Sequence, residues 1–131
     1  MAKIAVIEDD QPIREMYELK LKKSGFDVQV ASDGEEGLRL VEQFRPELIL
    51  LDLRMPIMDG VEMLKRLREK DWGGKILVII LTNISQEGVP MELRLLDVKR
   101  YLVKAHYTPQ QVLSIVTDTL DRYTKKIKSP K

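Results

Sequence analysis

Cysteine is absent from this chain. Disulfides, thiolate metal sites and thiol nucleophiles are therefore excluded. Histidine is nearly absent too, with His106 the single example. The start of the chain holds no long apolar run. Met1-Ala2-Lys3 leads into Ile4 to Ile7, and Glu8 ends the stretch far short of a signal-peptide core or a membrane span. An excess of one charge is missing as well. Lys and Arg (22) nearly balance Asp and Glu (21), and a net charge of +1 gives no electrostatic case for nucleic acid or an anionic membrane as partner. No internal repeat, low-complexity tract or linker stands out. What is present is 131 residues, 44% of them hydrophobic, enough to bury one core without staples. These features describe a soluble cytoplasmic domain over residues 1–124, followed by a polar, basic tail, 125–131, that is expected to fray.

The apolar pattern alternates between two periods. Ile4–Ile7, Val28–Ala31, Leu48–Leu51, Ile76–Leu81 and Arg100–Val103 read as strands, several of them apolar on both faces. Between them, Ile13, Met16, Tyr17 and Leu21 fall at helical spacing, as do Leu38, Val41 and Phe44, then Val61, Leu64 and Leu67 with Arg68, and finally Val112, Val116, Leu120 and Tyr123. Pro12 suits a first helical turn. Gly25 stops the first helix, and the second ends before Pro46. A fourth helix is expected to begin at Pro90, because Val89 is β-branched and precedes proline. Five helices alternating with five strands predict a doubly wound α/β domain with a parallel sheet covered on both faces.

In such a sheet the site lies at the carboxyl ends of the strands. Glu8-Asp9-Asp10 follow the first strand, Asp52 the third, Thr82 the fourth and Lys104 the fifth. Each has an ordinary explanation when taken alone. The acidic run can cap a helix, with Asp10 the cap. A single Asp after a strand can serve a turn, a Thr can satisfy loop backbone, and a Lys can lie in solvent. As a group they point elsewhere. Carboxylates gathered at one sheet edge repel one another unless a cation sits among them, and an all-oxygen ligand set suits Mg²⁺. Magnesium and Lys104 would neutralise a transferring phosphoryl group, Thr82 could bond one of its oxygens, and Asp52 could be the nucleophile that forms an acyl phosphate.

Four segments carry a resemblance: Ile7-Glu8-Asp9-Asp10, Leu51-Asp52-Leu53-Arg54-Met55-Pro56-Ile57-Met58-Asp59-Gly60, Leu81-Thr82, and Tyr101-Leu102-Val103-Lys104. They are similar to the signature of response-regulator receiver domains of two-component signalling, and the likeness runs over roughly residues 3–124. It implies a flavodoxin-like sheet in the order 2-1-3-4-5. It also implies that Asp52 is the phospho-acceptor, that Asp9 and Asp52 bind Mg²⁺ directly, and that Glu8 acts through water with the main-chain carbonyl of Arg54 as a further ligand. Thr82 and Lys104 match the family's hydroxyl and lysine. Tyr101 matches the switch aromatic, expected to turn inward as Thr82 moves toward the phosphoryl group. The implied donor is a sensor histidine kinase or a phosphotransfer protein. The implied readout is the face made by the fourth helix, fifth strand and last helix, acting on an effector protein, on an output domain outside this chain, or in a phosphorylation-dependent homodimer.

Departures from the family pattern sharpen these expectations. Ala105 replaces the proline usual after the lysine, so the Lys104–Ala105 bond is expected to be trans. Asp97-Val98 replaces a small glycine-alanine pair, so Asp97 needs another way to end the fourth helix. His106 is read as a surface loop residue rather than a relay. Arg54 and Ile84 stand where the family flanks the attacking water. Neither offers an acceptor to orient it, which predicts slow self-dephosphorylation. Two competing classes of function fit the residues less well. A magnesium phosphatase with an aspartate nucleophile needs an acid two residues after Asp52, where Arg54 stands. A non-phosphorylated interaction module would not need every one of these site residues.

Overall fold

The computed structural model describes residues 1–128. Five parallel strands, β1 (Lys3–Ile7), β2 (Asp27–Ala31), β3 (Leu48–Leu51), β4 (Leu77–Thr82) and β5 (Arg100–Val103), lie in the order β2-β1-β3-β4-β5. Strand side chains alternate between faces, and this sorts the core into two layers. Ile4, Val6, Leu48, Leu50, Ile79 and Leu81 face α1 (Gln11–Lys23) and α4 (Pro109–Lys128), where they meet Tyr17, Leu21, Val112, Val116 and Leu120. Ala5, Ile7, Ile49, Leu51, Val78 and Ile80 face α2 (Gly34–Phe44) and α3 (Gly60–Arg68), where they meet Val41, Met63, Leu64 and Leu67. Burial on both sides explains the unbroken apolar runs of β1, β3 and β4.

The first three helices start on aspartates. Asp10, Asp33 and Asp59 each accept a bond from the third amide of the helix they open, at 3.1, 2.8 and 2.9 Å. Asp10 is therefore a cap, and Pro12 sits in the first turn of α1 as expected.

Four α-helices are present among the described residues, not five. The segment expected to form a helix from Pro90 is a 3₁₀ turn, Met91–Leu95, preceded by another at Gln86–Gly88. Its bonds run i to i+3, from Leu93 N–H to the Pro90 carbonyl and from Leu96 N–H to the Leu93 carbonyl, both 3.1 Å. Pro90 is extended (φ −61°, ψ 135°) and offers no side-chain cap. Met91 and Leu95 are 71% and 89% exposed, so Leu93 alone is fully buried and no wide apolar stripe drives a longer helix. Asp97 ends the segment by adopting φ +56° itself, in place of a glycine.

Arg68, at the end of α3, holds this segment from outside. Its Nε donates to the Leu96 carbonyl at 2.9 Å and Nη2 to the Asp97 carbonyl at 2.9 Å. Its Nη1 donates to the carbonyls of Gly73 and Ile76 at 2.7 and 2.9 Å. At the other end of the chain, α4 continues past Thr124 to Lys128, so the first part of the basic tail is helical; residues 129–131 lie outside the described residues. Among the described residues no helix is long and apolar enough to cross a membrane.

Candidate functional site

Parallel strands bring their carboxyl ends to one edge, and the residues that end them meet there. Glu8, Asp9, Asp10, Ile13, Asp52, Arg54, Thr82, Asn83 and Lys104 line one cleft of about 240 Å³. Glu8 and Asp52 are buried, and Thr82 is fully so. The Lys104 ammonium lies 2.9 Å from Glu8 Oε1 and 3.2 Å from Asp52 Oδ2. Asp52 Oδ1 accepts the Arg54 N–H at 3.3 Å, and Glu8 Oε2 accepts the Asp10 N–H at 3.1 Å.

The crowding of acids in a poorly solvated cleft has an electrostatic signature. Burial pushes the Glu8 carboxyl up from 4.5 to about 7, against the bond from Lys104, and the Asp52 charge adds to the rise. Burial pulls the Lys104 ammonium down, but its bond to Glu8 and the charge of Asp52 outweigh this and leave it raised. Glu8, Asp9 and Asp52 each offer a carboxylate oxygen, all within 4.8 Å of one another. An oxygen-only set carrying three carboxylates fits a small hard cation such as Mg²⁺.

The glycine after the Asp52 loop is required by space. A Cβ on Gly60 would lie 2.3 Å from the Asp52 main-chain oxygen, so only glycine lets α3 start against the acceptor strand. Behind Thr82 a second arrangement leads away from the cleft. Ile84 N–H donates to Thr82 Oγ1 at 3.4 Å, and the Tyr101 hydroxyl donates to the Ile84 carbonyl at 3.2 Å. Tyr101 is half-buried on the edge strand, and burial, then the Asp52 charge, raises its hydroxyl above the usual 10.

All six residues expected in the cleft are therefore in it, while Tyr101 lies outside it and is joined to Thr82 through Ile84. No cis peptide bond occurs among the described residues, so Lys104–Ala105 is trans, and His106 is exposed. Some residues were not anticipated. Arg14 Nη1 holds the acidic loop by donating to the carbonyls of Glu8 and Asp9 at 2.9 and 3.3 Å. Tyr17 packs under Glu8 and Asp52, where burial pushes its hydroxyl to about 12 with the Glu8 charge contributing. Both lie on the first helix, one turn apart on the face that meets the sheet edge. That spacing was the available signal.

The likeness to known proteins agrees with this geometry. Residues 4–117 match the response regulator receiver domain, and the chain belongs to that family, the phosphorylatable receivers of two-component response regulators. It is 40% identical over 86 residues to the DNA-binding dual master transcriptional regulator RpaA of Synechocystis, covering 66% of this chain and 36% of that protein. It is 34% identical over 123 residues to the probable transcriptional regulator ycf27 of Porphyridium aerugineum, covering 94% of this chain and 50% of that protein. The solved structure of the chemotaxis response regulator CheY4 of Vibrio cholerae superposes with a TM-score of 0.83 at 28% identity, covering 92% of this chain and 99% of that one. The chain spans between about a third and a half of the length of the curated relatives it matches.

Proposed function

We propose that Asp52 accepts a phosphoryl group from a phosphohistidine on a sensor kinase or phosphotransfer protein, in the cytoplasm. A carboxylate oxygen of Asp52 bonds to phosphorus, the phosphorus–nitrogen bond breaks, and the electron pair leaves with the histidine ring. The observation that carries this reading is one buried carboxylate at the end of a central strand, 3.2 Å from Lys104 and within metal-sharing reach of two more acids. Asp9 and Asp52 would hold Mg²⁺ directly, Glu8 through water, and Arg54 by its main-chain carbonyl; when bound, the ion supplies charge neutralisation on the phosphoryl oxygens. Lys104 leaves part of its pairing with Glu8 and Asp52 to meet the new negative charge.

Thr82 donates its hydroxyl to a phosphoryl oxygen. That motion pulls on Ile84, and through its carbonyl on Tyr101, which turns further inward. A ligand shifts a conformational balance only through contacts that differ between the two states, and the Thr82 bond is such a contact. The surface that changes is the 83–101 segment with β5 and α4. It is read by an effector protein, an output domain outside this chain, or a second copy. Residues 1–124 act as the receiver unit. The domain also hydrolyses its own acyl phosphate, slowly.

The experiment is labelling by a small phosphodonor, read by mass spectrometry. Wild type gains one phosphoryl adduct at Asp52 only when Mg²⁺ is present, and Asp52→Asn gains none. An adduct of equal yield in Asp52→Asn overturns the assignment.

A further inference from the structure

Glu8 and Asp9 lie on the short turn between β1 and α1, and that turn is pinned along its whole length. The Glu8 N–H reaches the Ala31 carbonyl at 3.0 Å. Asp10 caps α1 and also donates its N–H to Glu8 Oε2 at 3.1 Å. The Arg14 N–H returns to the Asp10 carbonyl at 2.8 Å. The remaining tie comes from a side chain. Arg14 Nη1 bridges the carbonyls of Glu8 and Asp9, at 2.9 and 3.3 Å. Bonds donated by a cation are stronger than those between neutral groups, so this bridge fixes both peptide planes.

Arg14 is half-buried and is not part of the cleft wall, whereas the carboxylates of both residues it bridges are turned to Asp52. The two carbonyls are therefore drawn out of the cleft toward α1, and the carboxylates are left to face a cation. Freed from Arg14, the turn has two further oxygens to offer. That matters more to one ion than to another. Mg²⁺ is small and demands nearly octahedral ligands, while Ca²⁺ takes a larger, looser set of oxygens in which main-chain carbonyls are common.

We propose that Arg14 is a positioning residue that makes the cleft select Mg²⁺ over the larger Ca²⁺, by withholding the Glu8 and Asp9 carbonyls and holding the turn rigid. This rests on the reading that Glu8, Asp9 and Asp52 hold Mg²⁺. The guanidinium also repels any cation in the cleft, so its removal alters binding through charge as well. Both ions carry the same charge, and the ratio of their affinities therefore cancels that effect and reports geometry.

The test titrates Mg²⁺ and Ca²⁺ separately into the unphosphorylated chain, with the amide NMR shifts of residues 8–10 and 52–54 as the readout. Four proteins are compared: wild type, Arg14→Met, Arg14→Gln and Arg14→Lys. Arg14→Met keeps an apolar stem to pack and loses the donor, and Arg14→Gln is a neutral donor too short to bridge both carbonyls. In both, the preference for Mg²⁺ over Ca²⁺ falls about tenfold, the size expected when the group that orients a metal ligand is lost. Arg14→Lys keeps most of the preference, because an ammonium in the place of Nη1 still bridges the two carbonyls. An unchanged ratio in whichever neutral variant folds overturns the proposal, even if its melting temperature drops, since Arg14 then serves the fold alone. A ratio in Arg14→Lys as low as in Arg14→Met also overturns it. Absence of saturable Mg²⁺ shifts at Asp9 and Asp52 in wild type overturns the metal reading itself, a distinct result from either.

Discussion

Residues 3–68 and residues 83–108 are built on different terms. In the first region every strand hands over to a full α-helix, opened by an aspartate cap and closed on a buried apolar stripe. In the second the chain leaves β4 and, apart from the short strand β5, makes only 3₁₀ turns, at Gln86–Gly88, Met91–Leu95 and Lys104–His106, before α4 begins. Neither Met91–Leu95 nor Lys104–His106 has a side-chain cap. One region is fixed by local rules that agree with its packing. The other is fixed by long-range ties: Leu93 in the core, Tyr101 on Ile84, and Arg68 on the carbonyls of Leu96 and Asp97. A segment held by a few separable contacts can rearrange without disturbing the sheet. That difference suits a rigid site on one side and a movable surface on the other.

The sharpest way to break this contrast is to remove Arg68. Arg68→Ala deletes four bonds from one charged group and leaves half-buried carbonyls to find water, an expected loss of about 3 kcal/mol. Arg68→Lys recovers less than half, since one ammonium cannot reach carbonyls spread around a planar fork. Asp33→Ala, which removes a cap in the first region, costs only about 1 kcal/mol. Denaturant unfolding gives the totals. Hydrogen exchange gives the location, with protection lost over 91–97 in Arg68→Ala and around α2 in Asp33→Ala. Equal losses from the two substitutions contradict the contrast.

The same contrast governs what could be read from the residues. Ile4–Ile7 and Leu48–Leu51 announce buried parallel strands because burial on both faces leaves no room for polar positions. The cleft follows from topology: strands that end in Glu8, Asp52, Thr82 and Lys104 must bring those groups together once the strands are parallel. The segment after Thr82 misleads for a physical reason. Val89, Leu93 and Leu96 fall at helical spacing, but Pro90 withholds a donor and Met91 and Leu95 point outward, so the stripe is too narrow to stabilise a helix. The clamp was not legible either. Arg68 at the end of a helix looks like a solvated charge, and its four partners lie up to 29 residues away.

Next in size are two effects at the rigid site. Asp9→Asn removes one full charge from the ligand set, and Mg²⁺ affinity should fall at least about tenfold, measured by titration. The metal-free protein should become slightly more stable, because Asp9 then no longer repels Glu8 and Asp52. Unchanged affinity would leave Asp9 outside the metal site. Decay of the phosphorylated form should be slow in wild type and several-fold faster in Arg54→Asn/Ile84→Glu, which introduces groups able to orient water. A slower double variant contradicts the roles given to Arg54 and Ile84.

The smallest effect tests the segment after β4 at Asp97. Asp97 holds φ +56°, a conformation that costs a non-glycine residue about 1 kcal/mol. Its carboxylate pairs with Lys99 at 3.0 Å, but the carboxylate end is exposed and the pair is worth under about 0.5 kcal/mol. Asp97→Gly should therefore stabilise the protein by about 0.5 kcal/mol net, a rise in melting temperature of about 2 °C. Asp97→Ala should lower stability, since it loses the pair and keeps the strain. The opposite signs matter more than the sizes. Arg68 Nη2 donates to the Asp97 carbonyl at 2.9 Å, which ties the left-handed residue to the end of α3. Without the clamp the segment can relax, and glycine then has less strain to relieve. The gain from Asp97→Gly should shrink in an Arg68→Ala background, giving a non-additive double-mutant cycle. Additive values would mean that the turn at Asp97 is set locally and that Arg68 holds a segment already shaped.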